Sequence, residues 1–563
     1  MLKSTTSGTR AWFASGELWV WMNAAAVGIS IAAVVGVLLM IAIRGFAHFW
    51  PADVQRISYL SDEGHQQVLL GEVADSEVLS AQQYIDSVGG GRTLDPTFIE
   101  VERWLIKSGN RRFEPPDFSW IFAHQTTDIV LPEDAVVLER MEWGNAYGFL
   151  RSVSESGAVV AEADAAWGAF MERLQRVADL RGEIHDIERG TLNEINYELE
   201  SVRLARRGLS LGGASPGETR RGAELDERAA DLGERYEVAE ARLRDLIREL
   251  NRDAITLELA SGRTVSTSLA DVVRAWRPNQ MSTLEKLAHY LASIGQFLSQ
   301  DPREANTEGG IFPAIFGTVM MVLLMSLLVT PFGVIAAVYL REYAKQGAFV
   351  RLIRIAVNNL AGVPSIVYGV FGLGFFVYFI GGNLDALFFP EALPAPTFGT
   401  PGLLWASLTL ALLTVPVVVV STEEGLTRIP RSLREGSLAL GATKAETLFK
   451  VVLPMASPSI LTGVILAVAR AAGEVAPLML VGVVKLAPTL PVDGNFPFLH
   501  LERKFMHLGF HIYDVGFQSP NVEAARPLVY ATALLLVLII IILNLAAIML
   551  RNRLENRYRG VES

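Results

Sequence analysis

Long uncharged apolar runs, separated by short polar connections, are the main pattern of this chain. The first run, residues 18–43, has 26 residues without a charge, enough to cross a hydrocarbon core of about 30 Å at about 1.5 Å per residue. Similar apolar runs extend over 312–340, 355–380, 403–420, 458–484 and 528–550, and all of them except 458–484 are uncharged. The pattern predicts six membrane spans. The first is expected to be an uncleaved anchor, because no small-residue cleavage site follows it.

The segment between the first two spans, residues 44–310, predicts an α+β domain. Between 54 and about 160, β-rich runs such as HQQVLLGEV, FSWIFA and DAVVLERMEW alternate with turn signals such as SVGGG and EPPD, which predicts one small sheet. Residues 161–251 are helical in pattern, with apolar positions from Leu225 to Leu250 spaced alternately by four and three. GLSLGGASPGE interrupts the helical pattern, so we expect an antiparallel hairpin. AITLELASGRTVSTSLADVV then predicts two strands joined by a Ser-Gly turn.

The role of this hairpin stays open from the sequence. It is either a solvated spacer, which we favour, or an arm for docking and assembly.

Composition supports the membrane assignment and excludes several kinds of chemistry. Of 563 residues, 51% are hydrophobic, and 60 carboxylates exceed 49 Lys and Arg side chains. That is too apolar for a soluble protein of this length. With no cysteine, disulfides, thiolate catalysis and cysteine metal sites are excluded. Neither GxxxxGK[ST] nor HExxH occurs, so we expect no ATPase activity, cofactor or metal in this chain, and no nucleic-acid partner.

Positive charge is distributed unevenly among the connections. The basic side chains cluster in three segments: Arg341, Lys345, Arg351 and Arg354; Arg428, Arg431, Arg434, Lys444 and Lys450; and Arg551, Arg553, Arg557 and Arg559. The connection 381–402 has no Lys or Arg. The positive-inside rule therefore predicts that the basic segments, the N-terminal residues 1–17 and the C-terminal tail 551–563 are cytoplasmic. The domain 44–310 is then outside the cytoplasm, which is the periplasm if the organism is a Gram-negative bacterium.

The connection SLREGSLALGATKAETLFKVVLP, residues 432–454, predicts two short capped helices. Ser432 with Glu435, and Thr443 with Glu446, each have the spacing of a capping box. Gly441 lies between them and can adopt the left-handed backbone that ends a helix. Pro454 is expected to end the second segment before the next span. From the residues alone, a stiffened loop and a docking unit are equally supported.

These residues resemble the EAA signature of ABC importer permeases. The resemblance rests on Glu435, Gly441, Val451, Leu453 and Pro454, with Gly436 and Ser437 in place of the usual alanines. It implies that the loop docks into an ATP-hydrolysing subunit, with Glu435, Gly441, Thr443, Glu446, Leu453 and Pro454 as coupling residues.

A wider resemblance covers roughly residues 311–559. TEEGLTRIPRSLREGSLALGATKAETLFKVVLP, NLAGVPSIVYGVFG, TPFGVIAAVYLREYA and VARAAGEVAPLML are similar to the A-type inner-membrane permease of phosphate-uptake ABC importers. It implies the six-helix type I importer permease fold, a homologous second permease, two ATPases that bind ATP and Mg²⁺, and a periplasmic phosphate-binding protein. The segment 44–310 is longer than in compact members of that family.

Two ionisable residues in the predicted fifth span are the candidates for substrate contact. An ionised group near the bilayer centre costs about 2.5–3.5 kcal/mol. Arg470 and Glu474 are spaced to lie on one helix face, where they could simply neutralise each other. An Arg guanidinium also matches oxyanions in a bidentate fork, and with the resemblance we favour a translocation path. The third span is interrupted by polar or helix-breaking residues: Asn359, Gly362, Pro364 and Ser365. They indicate either an aqueous path or a kink that serves packing.

Glu423, Glu424 and Arg428, at the end of the fourth span, are predicted to anchor the loop. The alternatives to a phosphate permease are a permease for another oxyanion, such as sulfate or molybdate, and a membrane-anchored periplasmic scaffold or sensor. The scaffold is disfavoured, because five further spans are excessive for anchoring.

Overall fold

The computed structural model describes residues 16–60, 65–80, 82–84, 100–212, 216–519 and 522–559. Most of the predicted N-terminal cytoplasmic segment and the turn signal SVGGG lie outside these residues, as does the end of the C-terminal tail.

Six helices in the described residues are long and apolar enough to cross a membrane. They extend over Glu17–Ala47, Phe312–Tyr343, Ser365–Phe388, Leu403–Arg428, Lys444–Ala472 and Ala525–Arg553. The predicted number of spans is confirmed. Several boundaries differ, because helices continue through the polar ends that a hydropathy pattern leaves out; the fourth, for example, reaches Arg428 rather than residue 420.

The first two spans are close to their predicted positions. Helix α1 (Glu17–Ala47) is followed, after the α+β region, by α6 (Phe312–Val338), which a π-helical turn extends to Tyr343.

The third crossing is broken where the sequence predicts an interruption. Helix α7 (Ala348–Leu360) ends before α8 (Ser365–Phe371) begins, and residues 361–364 between them are not helical. Pro364 disfavours helical backbone at the preceding residue, which explains the break. A π-helical segment (Gly372–Gly381) and α9 (Gly382–Phe388) continue from α8. The third span was predicted to begin at residue 355, and this is wrong, because the membrane-crossing helix begins at Ser365.

The predicted fifth span, 458–484, is wrong at both ends. From Lys444 the chain stays helical through α12 (Lys444–Thr447), a π-helical segment (Leu448–Val452) and α13 (Leu453–Ala472). Beyond Ala472 the chain turns, and only α14 (Leu478–Val481) follows before residue 485. The apolar residues after 472 lie in a folded-back segment that contacts neighbouring helices, a tertiary arrangement that hydropathy cannot distinguish from a longer span.

Helix α10 (Leu403–Arg428) is the centre of the membrane region. It packs between α6 and α13, and the shared core includes Met321, Met325, Leu410, Val418, Ala467 and Val481. Small residues allow the close approach: a Cβ at Gly333 of α6 would lie 2.6 Å from Val418, and one at Gly463 of α13 would lie 2.7 Å from Ser421. Helix α16 (Val522–Arg559) packs on α13 and on α1.

The region between α1 and α6 contains two antiparallel sheets. The strands of the first are ordered β4-β3-β2-β1-β5, with β1 Gln55–Leu60, β2 Gln66–Ser80, β3 Glu100–Lys107, β4 Phe118–Phe122 and β5 Thr126–Val130. The second has the order β10-β9-β7-β6-β11, with β8 on β7. Its strands are β6 Ala135–Arg140, β7 Ala146–Glu155, β8 Ala158–Glu162, β9 Asp253–Glu258, β10 Thr264–Ser268 and β11 Val272–Trp276.

The predicted strands and α+β class are therefore confirmed. The strands β9 and β10 turn at Gly262, whose φ is +82°. The prediction of a single small sheet is wrong, because the strands form two sheets. In the second sheet, strands that precede the hairpin pair with strands that follow it.

The helical hairpin has its root in the domain core. Its first arm is α2 (Asp164–His185), a π-helical segment (Asp186–Leu192) and α3 (Asn193–Gly212), and its second is α4 (Pro216–Leu250). The predicted seam is formed by Ile195, Val202 and Leu232 among others. However, Phe170 and Val177 of α2 are buried against the second sheet. The first arm is thus part of the domain core, which its helical period alone does not reveal.

This region is joined to the membrane part of the chain by, among other contacts, a chain connection and a hydrogen bond. Helix α5 (Thr283–Ser299) leads through the short pair β12 (Pro302–Arg303) and β13 (Glu308–Gly309) into α6. Tyr197 of the hairpin donates a hydrogen bond to the Phe496 carbonyl in the connection between α14 and α15 (Leu508–Tyr513). The hairpin is therefore not a free arm.

Candidate functional site

Arg470 and Glu474 lie where α13 ends. Arg470 is in the last turn and Gly473 follows the final helical residue, so Glu474 is just beyond the helix. The Arg470 Nε and a Glu474 carboxylate oxygen are 3.5 Å apart, and the side chains are 35% and 20% exposed. The two residues still pair, as their helical spacing predicts, although the helix ends between them.

The packing of α13 on α10 sets the depth of this pair. Gly425 lies against Ser459 and Gly463 against Ser421, so the two helices are antiparallel. Arg470 is seven residues beyond Gly463, about 10 Å along the axis, which places it level with about Thr414. Because α10 extends from Leu403 to Arg428, this level is near the middle of that span.

Helix α8 forms a second side of the site. Gly369 packs directly on the segment after Glu474, since a Cβ at Gly369 would lie 2.7 Å from Cα of Pro477. Tyr368 is buried, donates a 2.7 Å hydrogen bond to the Leu360 carbonyl, and is close enough to Arg470 to interact electrostatically. Sequence reasoning missed Tyr368, although it follows Ser365 by one helical turn.

The other two predicted path residues are placed differently. Ser365 is the first residue of α8, partly exposed, at the edge of the break in the third crossing. Asn359 is exposed near the end of α7, and within the described residues no hydrogen bond joins its side chain to Arg470. The structure thus places Arg470 and Glu474 near Tyr368 and Gly369 of α8, and within the described residues no contact of Ser365 or Asn359 with the charged pair is found.

The chemistry of this site is that of an incompletely paired guanidinium. Within the described residues, Glu474 is the single ion-pair partner of Arg470. A guanidinium has five N–H donors, so most remain for a further acceptor, and a planar fork suits a tetrahedral oxyanion. A neighbouring carboxylate can orient that fork or accept a proton from the oxyanion.

The loop between α10 and α13 forms a second candidate site, a helix-turn-helix unit. Helix α11 (Arg431–Ala439) precedes Gly441, whose φ of +89° is the left-handed conformation predicted for it. Helix α12 then begins with the predicted capping box of Thr443 and Glu446. The Ser437 and Thr447 hydroxyls are 2.9 Å apart and join α11 to α12.

Two details predicted for this loop are wrong. Ser432 and Glu435 do not form a capping box, because α11 begins at Arg431 with Pro430 as its N-cap; the fixed φ of proline suits that position, and Ser432 falls inside the first turn. Pro454 does not end the second segment, since it occupies the first turn of α13 together with Leu453. The preceding π-helical register relaxes the hydrogen-bond ladder where Pro454 has no N–H to donate.

An arginine clamp, formed by Arg434, Glu342 and Lys444, fixes the loop to the membrane helices. Arg434 pairs with Glu342 at 2.9 Å and donates to the carbonyls of Ile429 and Leu426 at 2.9 and 2.7 Å. Lys444 donates to the Glu342 carbonyl at 2.6 Å. In the sequence these basic residues indicate topology alone and the clamp is not evident, since Glu342 is 92 residues before Arg434.

Several side chains of the loop are exposed, and some of them are apolar. Leu440 is 91% exposed and Phe449 68%, and Glu435 of α11 is also exposed. Large exposed apolar side chains next to charged ones are typical of a protein-docking surface.

Of the residues predicted to anchor the loop, Glu423 contacts α7 and not the loop itself. Its carboxylate pairs with Arg354 of α7 at 3.2 Å. Glu424 and Arg428 are exposed, without an ion pair in the described part of the chain.

Comparisons with known proteins concern the membrane region. The family described as binding-protein-dependent transport system inner membrane component matches residues 329–560. A phosphate transport system permease protein PstA 1 of Mycobacterium tuberculosis is 35% identical over 245 residues, which are 43% of this chain and 71% of that protein. The PstA of Yersinia pestis is 32% identical over 256 residues, 45% of this chain and 77% of that protein.

Coverage of the relatives is incomplete. The chain spans 58% of the length of the Mycobacterium leprae PstA, with 38% identity over 194 residues and 34% of this chain. Among solved structures, the inward-facing MetNI methionine ABC transporter matches with 19% identity and a TM-score of 0.32, covering 43% of this chain and 94% of that one. A bacterial ABC transporter involved in alginate import matches with 13% identity and a TM-score of 0.32, covering 46% and 81%.

Proposed function

This chain belongs to the family of binding-protein-dependent transport system inner membrane components, and on that premise we propose that it lines the path by which an ABC importer moves inorganic phosphate across the inner membrane. The supporting observation is the position of Arg470, level with the middle of α10 and with donors left unpaired by Glu474. A charged group at that depth is costly and is retained where it meets a substrate or ion. The similarity to PstA proteins favours phosphate among the oxyanions.

The energy for transport comes from partner subunits. The exposed side chains of the loop, which include Glu435, Leu440 and Phe449, dock into an ATP-binding subunit, and the clamp of Arg434 transmits motion of that subunit to α10 and α6. ATP and Mg²⁺ bind to two such subunits and not to this chain. A homologous second permease supplies the other wall, and a periplasmic phosphate-binding protein delivers the substrate.

The orientation follows from the same assignment. The loop of α11 and α12, with both termini, faces the cytoplasm, and the two-sheet domain with its hairpin is periplasmic. The excess of Lys and Arg around the loop supports this orientation.

Uptake by reconstituted complexes tests the proposal. The full complex is placed in vesicles, and uptake of labelled phosphate, sulfate and molybdate is measured with ATP on the loop side. Arg470→Gln is expected to abolish phosphate uptake while the complex still assembles and hydrolyses ATP. Arg470→Lys keeps the charge but loses the planar fork, so weak uptake with poorer discrimination among oxyanions is expected.

The control distinguishes a path residue from a structural pair. Replacing Arg470 with Met and Glu474 with Gln together removes both charges at similar volume, which is neutral or stabilising for a pair with a purely structural role. Normal phosphate uptake by that double variant contradicts the proposed path. If the parent complex takes up more sulfate or molybdate than phosphate, that oxyanion and not phosphate is the substrate.

A further inference from the structure

A charged cavity of about 520 Å³ lies where the two-sheet domain meets the membrane helices. Its walls come from the end of α1, the start of α16, helix α5, both sheets and the β12–β13 pair. None of the residues assigned to the substrate path or the loop lines it. The proposed substrate path and loop therefore do not account for it.

The charge of the cavity is mixed and nearly balanced. Six Lys and Arg side chains and seven Asp and Glu side chains line it. Several pair with each other; Glu139, for example, is held between Arg274 and Arg303. A simple anion or cation would meet like charges on one wall, so the lining suits a ligand that carries both signs.

Two buried side chains are left with unused hydrogen-bonding atoms. Arg303 is 12% exposed, and its Nε and Nη1 are buried without a hydrogen-bond partner. The Oε2 of Glu308 is also buried without one, and burial raises the pKa of Glu308 to about 7. Buried groups of this kind are rare because each costs about 1–3 kcal/mol of desolvation in general. Beside a cavity, such atoms can bind the acceptor and the donor of a ligand.

The position of the cavity indicates where such a ligand comes from. The apolar surface of α1 is unburied along its span and leads to the cavity at Arg44 and His48. Trp50 and Tyr530 also line the cavity, and aromatic side chains of this kind favour the membrane interface. A headgroup in the cavity can therefore leave its acyl chains on the outer surface of α1.

We propose that this cavity binds the zwitterionic headgroup of an aminophospholipid, with the phosphate diester on the free guanidinium donors of Arg303 and the ammonium on Glu308. Arg303 offers donors that match phosphate oxygens, and the Glu308 oxygen accepts from the ammonium. The lipid then ties the domain to α1 and α16. Free phosphoethanolamine carries the same charged groups but has no acyl chains for α1.

Lipid retention by the purified full-length protein tests this site. The protein is delipidated, offered equal amounts of phosphatidylethanolamine, phosphatidylcholine and phosphatidylglycerol in mixed micelles, and examined by native mass spectrometry. Phosphatidylethanolamine is expected to be retained preferentially, because phosphatidylcholine has no ammonium N–H and phosphatidylglycerol has no ammonium. Arg303→Met is expected to reduce retention about tenfold, and Glu308→Gln to remove the preference over phosphatidylglycerol.

Controls keep the result interpretable. Arg151→Met removes an exposed arginine of the same domain, paired with Glu258 and outside the cavity, and should leave retention unchanged. If Arg303→Met does not fold, Arg303→Lys replaces it, with a smaller loss expected. Equal retention of the three lipids, or retention unaffected by both cavity variants, overturns the proposal. If equimolar phosphoethanolamine displaces the lipid, the acyl chains do not contribute to binding, and the proposal that the headgroup belongs to a lipid is wrong.

Discussion

The arginine clamp gives the sharpest prediction for the loop of α11 and α12. In Arg434→Met the side-chain volume is nearly kept, but the ion pair with Glu342 and the hydrogen bonds to Leu426 and Ile429 are lost. We expect α11 to detach more often from the ends of α10 and α6, because the remaining links, through Lys444 and Ser437, are fewer.

The magnitude follows from the contacts. A hydrogen bond to a charged group contributes about 1.5–3 kcal/mol, and Arg434 and Glu342 are only 19% and 17% exposed, so solvent screens them partly. Since the residual carboxylate can still reach water, we take about 2–3 kcal/mol for the whole clamp. At 1.4 kcal/mol per factor of ten, local opening should become about 30 to 140 times more frequent.

Hydrogen exchange of the permease alone measures this opening. Amides of residues 431–447 should exchange faster by up to that factor, whereas amides in the middle of α10 should not change. Affinity for the proposed ATP-binding subunit should fall in parallel. Arg431→Met is the matched control: Arg431 begins the same helix, is exposed, and makes no ion pair in the described residues. Unchanged protection of 431–447 in Arg434→Met refutes the clamp.

Three further predictions concern topology, pH and the hairpin. A reporter active only outside the cytoplasm should work when fused near Gly212 and fail near Gly347 or after Arg559; cytoplasmic labelling at Gly212 reverses the orientation. Burial raises the pKa of Glu308 from 4.5 to about 7. Its contribution to the free energy of unfolding is therefore present below pH 4.5 and is lost as the pH rises through 7. The total loss is about 3 kcal/mol. Glu308→Gln should flatten the thermal-unfolding profile of the lipid-free protein between pH 5 and 8, and a parallel profile contradicts that pKa. Replacing residues 193–236 with a short Gly/Ser bridge should leave the two-sheet domain folded by circular dichroism and protease resistance, because the buried part of α2 is kept; loss of the domain would show that the distal seam is part of its core.

Local rules were sufficient where an element is specified by neighbouring residues. Each span needs about 20 apolar residues in sequence, so their number could be read from hydropathy. The turn at Gly441 and the capping box of Thr443 and Glu446 depend on atoms three or fewer residues apart, and both occur as predicted. The pairing of Arg470 with Glu474 likewise follows from helical spacing.

The sequence by itself thus determined the membrane class, the α+β region between the first two spans, the helical seam and the charged residues of the fifth span. The tertiary structure decided where α13 stops, which residues of the third crossing lie beside Arg470, and how Arg434 reaches Glu342. It also decided that α2 belongs to the domain core and that Arg303 and Glu308 face one cavity. The physical reason is the range of the interactions: hydropathy and capping act within a few residues, whereas these contacts join segments far apart in sequence whose approach depends on the packing of every helix and strand between them.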